Sequence, residues 1–182
     1  MDKVVGIVGL GIMGSAMANN LMKDGFRVVG FDVAPAAMAA FTAGGGIAAP
    51  SPRAVADQAP FVITSLAKLS AFHAVMSGPD SIASSSASPV VIDMCTLPID
   101  AKESARAALA ATGKILLDCP VSGTGAQAAR KDLFVFGSGD RDAYDSAQHV
   151  FAGMSRVQKY VGAFGDGSRM KFIANHLVNI HN

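Results

Sequence analysis

Cysteine is scarce in this sequence. Cys95 and Cys119 lie in different segments without metal-ligand spacing, so neither a disulfide scaffold nor a zinc site is indicated, and both read as reduced thiols. Charge is scarce too, at 16% of residues, and 15 Lys and Arg against 14 Asp and Glu leave a net charge of +1. That balance gives no electrostatic footprint for nucleic acid or an anionic membrane. Tryptophan is absent, which excludes nothing. The stretch from Val4 to Met22 has no charged side chain and nearly the length of a membrane span. Four glycines, Ser15 and the pair Asn19-Asn20 interrupt it, and Asp2 stands where a signal peptide would carry positive charge. A cytoplasmic protein is expected.

Apolar residues are what the chain has in excess, at 51%. Such a balance suits a parallel sheet covered by helices on both faces. Short apolar runs at Lys3–Val8, Arg27–Phe31, Phe61–Ser65, Val90–Asp93, Ile115–Asp118 and Leu133–Gly137 predict strands. Between them, Met13–Lys23, Ala36–Ala43, Arg53–Gln58, Ser70–Met76, Ile99–Ala111 and Ala143–Phe151 have helical spacing. This alternation predicts an α/β fold of the Rossmann type, doubly wound around a mainly parallel sheet. Gly25 and Gly113 follow helices where a C-terminal cap belongs, and Ser84 to Ser88 read as a surface loop. No internal repeat is evident.

The densest signal is Gly9-Leu10-Gly11-Ile12-Met13-Gly14, which follows an apolar strand and opens a helix. The first glycine permits a tight turn, the second lets backbone approach a pyrophosphate, and the third lets the helix pack on its strand. The helix start then offers free N–H groups to the phosphates. Asp32 closes the second strand, twenty-three positions after Gly9. A carboxylate there accepts hydrogen bonds from ribose hydroxyls and repels a 2′-phosphate, and Val33, Ala34 and Pro35 supply no arginine to bind one. NAD is therefore the expected cofactor rather than NADP. Asp32 is equally a candidate cap for the helix that follows.

Two further segments carry polar groups. Asp118-Cys119-Pro120-Val121-Ser122-Gly123-Thr124-Gly125-Ala126 stands at the carboxyl end of a predicted strand, the edge where open α/β sheets bind ligands. Its backbone N–H groups and the Ser122 hydroxyl suit an anion such as a carboxylate, although the composition is also that of an ordinary turn. Further on, Gly165-Asp166-Gly167 opens a helix predicted over 167–180, with Met170, Ile173, Ala174, Leu177 and Val178 on one face. Lys171, Asn175 and Asn179 form a polar stripe beside it. A helical lysine is usually solvated; buried beside a nicotinamide ring, its ammonium could lose a proton and act as acid or base.

Together these segments resemble the β-hydroxyacid dehydrogenase family, which includes 3-hydroxyisobutyrate and 6-phosphogluconate dehydrogenases. Three motifs carry the resemblance in order: the glycine turn at 9–14, Asp118-Cys119-Pro120-Val121-Ser122-Gly123, and Gly165-x-Gly167-x-x-x-Lys171. Asp93-Met94-Cys95-Thr96-Leu97-Pro98 is a weaker fourth match. The resemblance implies that Lys171 takes the proton of a β-hydroxyl while hydride passes to the nicotinamide. It implies that Ser122, Gly123 and Asn175 hold the substrate, a small hydroxy acid or semialdehyde, and that Met13, Leu66 and Thr96 border the cofactor. Met13 and Leu66 are also plausible core residues, and Thr96 a plausible helix cap. Thr124 stands where family members often have a second glycine, and Ala174 precedes Asn175 where they have paired asparagines. Family members continue the last helix into a helical domain. The expected organisation is thus a dinucleotide-binding domain over 1–164 and the start of an interdomain helix over 165–182, in a homo-oligomer. An NAD-binding module without turnover is the alternative. An imine reductase and a decarboxylating sugar-phosphate enzyme are disfavoured, the first by Lys171 and Asn175, the second by the lack of a basic cluster.

Overall fold

The computed structural model describes residues 3–87 and 89–181. The first strand, β1 (Val4–Val8), runs directly into the glycine turn and helix α1 (Ile12–Lys23). Gly9 adopts φ +97°, which an L side chain resists, and its N–H donates to the Phe31 carbonyl at 2.9 Å. Gly25, at φ +84°, turns the chain out of α1 towards β2 (Arg27–Phe31). Helix α2 (Pro35–Ala43), strand β3 (Ile47–Ala48), helix α3 (Pro52–Ala56), strand β4 (Phe61–Thr64) and helix α4 (Leu69–Ser77) follow. A 3-10 turn at Ile82–Ser84 leads to β5 (Val90–Asp93), α5 (Ile99–Ala110) and β6 (Ile115–Asp118).

These strands lie in the order β3-β2-β1-β4-β5-β6, all parallel. The order reverses between β1 and β4, which opens a crevice beyond their carboxyl ends. Side chains alternate across the sheet and divide the core in two. Val5, Ile7 and Ile63 pack with Met17, Leu21 and Phe151 on one side, while Val8, Val29 and Val62 pack with Val55, Phe72 and Leu109 on the other.

Beyond β6 the chain departs from the sequence expectation. Val121–Ser122 forms a short strand, β7, antiparallel to β8 (Phe134–Ser138), and β8 also meets β6 antiparallel. Helix α6 (Gly125–Ala129) connects them, capped by Thr124, whose hydroxyl accepts from the Gln127 N–H at 3.3 Å. The single helix expected over Ala143–Phe151 is two, α7 (Arg141–Ser146) and α8 (Gln148–Met154), joined at Ala147, whose backbone (φ −84°, ψ 0°) caps both. Strand β9 (Val157–Gly162) pairs parallel with β8. The long final helix is α9 (Asp166–His181).

The serine-rich loop is less exposed than its composition implies. Ser85 is buried, and its hydroxyl donates to Asp57 Oδ1 at 2.7 Å, a bond that leads in holding that carboxyl below its ordinary range. Ser88 lies outside the described residues. Both thiols are buried and unpaired. No helix among the described residues is long and apolar enough to cross a membrane.

Candidate active site

The glycine turn forms one wall of a double cleft. Gly14 has no room for a side chain, because a Cβ there would overlap the Gly9 carbonyl oxygen. Gly11 is the opposite case: it caps α1 through its backbone, and a Cβ built on it would meet nothing within 4 Å. No side chain among the described residues caps the first amides of α1, and its first turn holds no acidic residue. A close-approach turn, open space beside it and uncapped amides fit a pyrophosphate.

On one side of the turn, a cavity of about 330 Å³ is lined by residues that include Val8, Gly9, Asp32, Leu66 and Asp80. Asp32 has both structural partners and a place in this cavity. Its Oδ2 accepts from the Leu10 N–H at 2.6 Å and its Oδ1 from the Ala34 N–H at 2.8 Å. The carboxylate thus ties the glycine turn to β2 and steadies the entry to α2. Each oxygen keeps a second lone pair, so the ribose role and the structural role are chemically compatible.

On the other side, a cavity of about 470 Å³ is lined by Gly11, Ile12, Met13, Ser65, Leu66, Ala67, Met94, Cys95, Thr96, Val121, Gly123 and Lys171. Five segments far apart in sequence meet here. Val121 and Gly123 line the cavity on either side of the half-buried Ser122. Gly123, at φ +145°, has no space for a Cβ, which would lie 2.6 Å from Leu133 Cδ2. Asn175 is exposed, one turn along α9 from Lys171, and is not among the lining residues. The side chains of Val178 and Asn179 lie outside what the structure describes. Lys171 is half-buried, and burial holds its ammonium below the ordinary lysine pKa. The Cys95 thiol is pushed up, chiefly by burial and then by the nearby Asp93 charge, and is therefore a poor nucleophile at neutral pH.

Beneath this cleft is a buried ionic network that the sequence did not reveal. Lys102 is fully buried on α5, and its Nζ lies 2.7 Å from Asp118 Oδ1, 2.9 Å from Asp93 Oδ2 and 2.6 Å from the Cys95 carbonyl oxygen. Burial works against that charge, but the Asp93 and Asp118 carboxylates outweigh it and raise the Lys102 pKa above its ordinary value. Asp118 also accepts from the Ser168 N–H and hydroxyl, each at 2.8 Å. One signal in the sequence could have exposed the network. Two adjacent buried strands each end on aspartate, in register as Asp93 and Asp118, and such a pair requires a cation.

Comparison with known proteins agrees with this architecture. The family profile of the NAD binding domain of 6-phosphogluconate dehydrogenase matches residues 4–162. The chain belongs to that family. It is 32% identical to L-threonate dehydrogenase of Cupriavidus necator, over 100% of this chain and 62% of that protein. It is 33% identical to mitochondrial 3-hydroxyisobutyrate dehydrogenase of Homo sapiens, over 97% of this chain and 53% of that protein. The structure of 3-hydroxyisobutyrate dehydrogenase from Mycobacterium tuberculosis with L-serine superposes with a TM-score of 0.90 at 31% identity, covering 98% of this chain and 60% of that one. The chain thus spans between half and two thirds of the length of these relatives. An imine reductase from Streptomyces aurantiacus, at 23% identity and a TM-score of 0.85, shares the fold. The domain is an NAD-binding one, and its relatives include dehydrogenases of small hydroxy acids.

Proposed function

We propose that this chain carries the NAD site and the acid/base lysine of an oxidoreductase acting on a small 3-hydroxy carboxylic acid, or on the corresponding semialdehyde in reverse. The observation that carries the reading is that Lys171 lines the same cavity as the glycine turn, Leu66, Thr96 and Gly123. In this reading Gly9, Leu10, Gly11, Ile12 and Gly14 form the turn that receives the pyrophosphate, Asp32 holds the adenosine ribose, Met13 lies near the nicotinamide half, and Leu66 and Thr96 border its ribose. NAD, when bound, supplies the hydride acceptor.

Ser122, Gly123 and Asn175 are the proposed substrate contacts, with backbone N–H groups and the Ser122 hydroxyl suited to a carboxylate. Lys171 accepts the proton of the substrate hydroxyl as its carbon is oxidised, and returns it in reverse. Partial burial favours that role, because a less stable ammonium releases its proton at lower pH and makes the neutral amine available.

The test is a panel of small 3-hydroxy acids and semialdehydes assayed with NAD and NADP, together with calorimetric titration of both dinucleotides. NAD is expected to bind more tightly than NADP, and one member of the panel to be oxidised or reduced. Lys171→Ala is expected to lower turnover by about 10²-fold or more while leaving NAD affinity nearly unchanged. Unchanged turnover in that variant would remove the acid/base assignment. The second reading is an NAD-binding module without turnover. NAD binding without turnover of any panel member would select it.

A further inference from the structure

The ionic network under the cleft does more than fill the core, because its bonds lead to the segments that carry the walls of the proposed active site. Asp93 Oδ1 accepts from the Thr64 hydroxyl at 2.8 Å, and Thr64 immediately precedes Ser65 and Leu66. Lys102 holds the Cys95 carbonyl, and Cys95 and Thr96 are the next wall. Asp118 receives the first turn of α9 through the Ser168 N–H and hydroxyl, three residues before Lys171. Ser138 adds a tie, since its hydroxyl donates to the Asp118 carbonyl at 2.9 Å and accepts from the Gly167 N–H at 2.9 Å.

The charges explain why these groups lie together. Two carboxylates and one ammonium leave one negative charge, and the start of α9 brings the positive end of a helix and two hydrogen-bond donors to it. The helix start is thereby tied to buried groups on two strands. Gly167 and Ser168 are buried, and a Cβ on Gly167 would lie 2.5 Å from the Phe136 carbonyl oxygen. Helix α9 can be seated this deeply only through that glycine and the hydroxyl beside it.

We propose that Asp118 and Lys102 are positioning residues for Lys171, fixing the first turn of α9 against the ends of β6 and β8 so that its side chain enters the cofactor cleft. This inference rests on the reading of Lys171 as the acid/base group. Burial is the cause of the lowered Lys171 pKa, so the midpoint of its titration measures how deeply the helix is seated.

The experiment is pH-dependent labelling of Lys171 with an amine-reactive reagent, read by mass spectrometry on the full 182-residue chain. Ser168→Ala deletes the hydroxyl bond to Asp118 and is expected to raise the labelling midpoint towards that of a free lysine by about half a pH unit or more. Asp118→Asn is expected to act in the same direction. If that variant fails to fold, Ser138→Ala, which deletes the acceptor for the Gly167 N–H, provides the second test. Ser51→Ala removes the cap of α3, far from α9, and is expected to leave the midpoint in place. A midpoint unmoved in Ser168→Ala, or moved equally in Ser51→Ala, would overturn the proposal. The labelling needs no turnover, so the outcome is separable from the fate of the acid/base reading, which Lys171→Ala tests.

Discussion

An ammonium shielded from water needs partners for its charge and its protons, and Lys102 donates to the Cys95 carbonyl and to Asp118 while its charge is also paired with Asp93 at 2.9 Å. Replacing it by the similarly shaped Lys102→Met leaves two carboxylates buried without their cation. A loss of about 3–5 kcal/mol in urea denaturation is expected. The pH dependence follows from the direction of its shift. The folded pKa lies above the ordinary 10.5, so the contribution is complete below that value and lost only as pH rises through the folded one. The stability gap between the native chain and Lys102→Met should therefore not narrow between about pH 7 and 9, and a gap that closes in this window would contradict the assignment. Asp32 has a smaller and more specific effect. Asp32→Asn keeps an acceptor for the Leu10 or Ala34 N–H but loses the negative charge facing the cavity proposed for adenosine. Calorimetry should show the ratio of NAD to NADP affinity falling by about tenfold, since a 2′-phosphate is no longer repelled.

At the scale of elements, the glycine turn separates folding from binding. Gly14→Ala places a Cβ on the Gly9 carbonyl, which should cost about 1–3 kcal/mol and disturb the cofactor site with it. Gly11→Ala meets open space on an extended backbone, with φ −67° and ψ −165°, so stability should fall only by the cost of a poorer helix cap, about 0.5–1 kcal/mol. NAD affinity should nevertheless drop by about tenfold or more, because the added methyl occupies the space proposed for the pyrophosphate. Equal losses of stability and affinity in both variants would refute that separation. The same turn shows why some elements were legible in the sequence. Strands β1, β2, β4, β5 and β6 are runs of four or five residues, mostly apolar, bounded by turn residues, and their pattern is local. Strands β3 and β7 have two residues each, too few for a period, and β9 is half-buried with Gln158 and Lys159 in its middle. Their pairing is decided by neighbours distant in sequence.

Across the whole molecule, legibility followed the same division between local and distant causes. The order of strands and the glycine turn come from short-range pattern and connection rules, whereas the Asp93–Lys102–Asp118 network exists only once β5, β6 and α5 have packed together. Lys102 reads as a solvated helical lysine until its surroundings are known. Helix α9 has one face that the pattern foretold and the domain does not bury. Met170 and Ile173 of that face are 41% and 55% exposed and the nearby Ile180 64%, while Gly167 and Ser168 on the same helix are buried. A contiguous apolar stripe of this kind favours association with another apolar surface. The 182-residue chain should therefore self-associate with rising concentration in light scattering, or bind an apolar dye. The double substitution Ile173→Gln with Ile180→Gln should reduce both signals without changing NAD affinity, because neither residue lines the cleft. A monodisperse monomer that binds no dye would show that the exposed stripe is not adhesive.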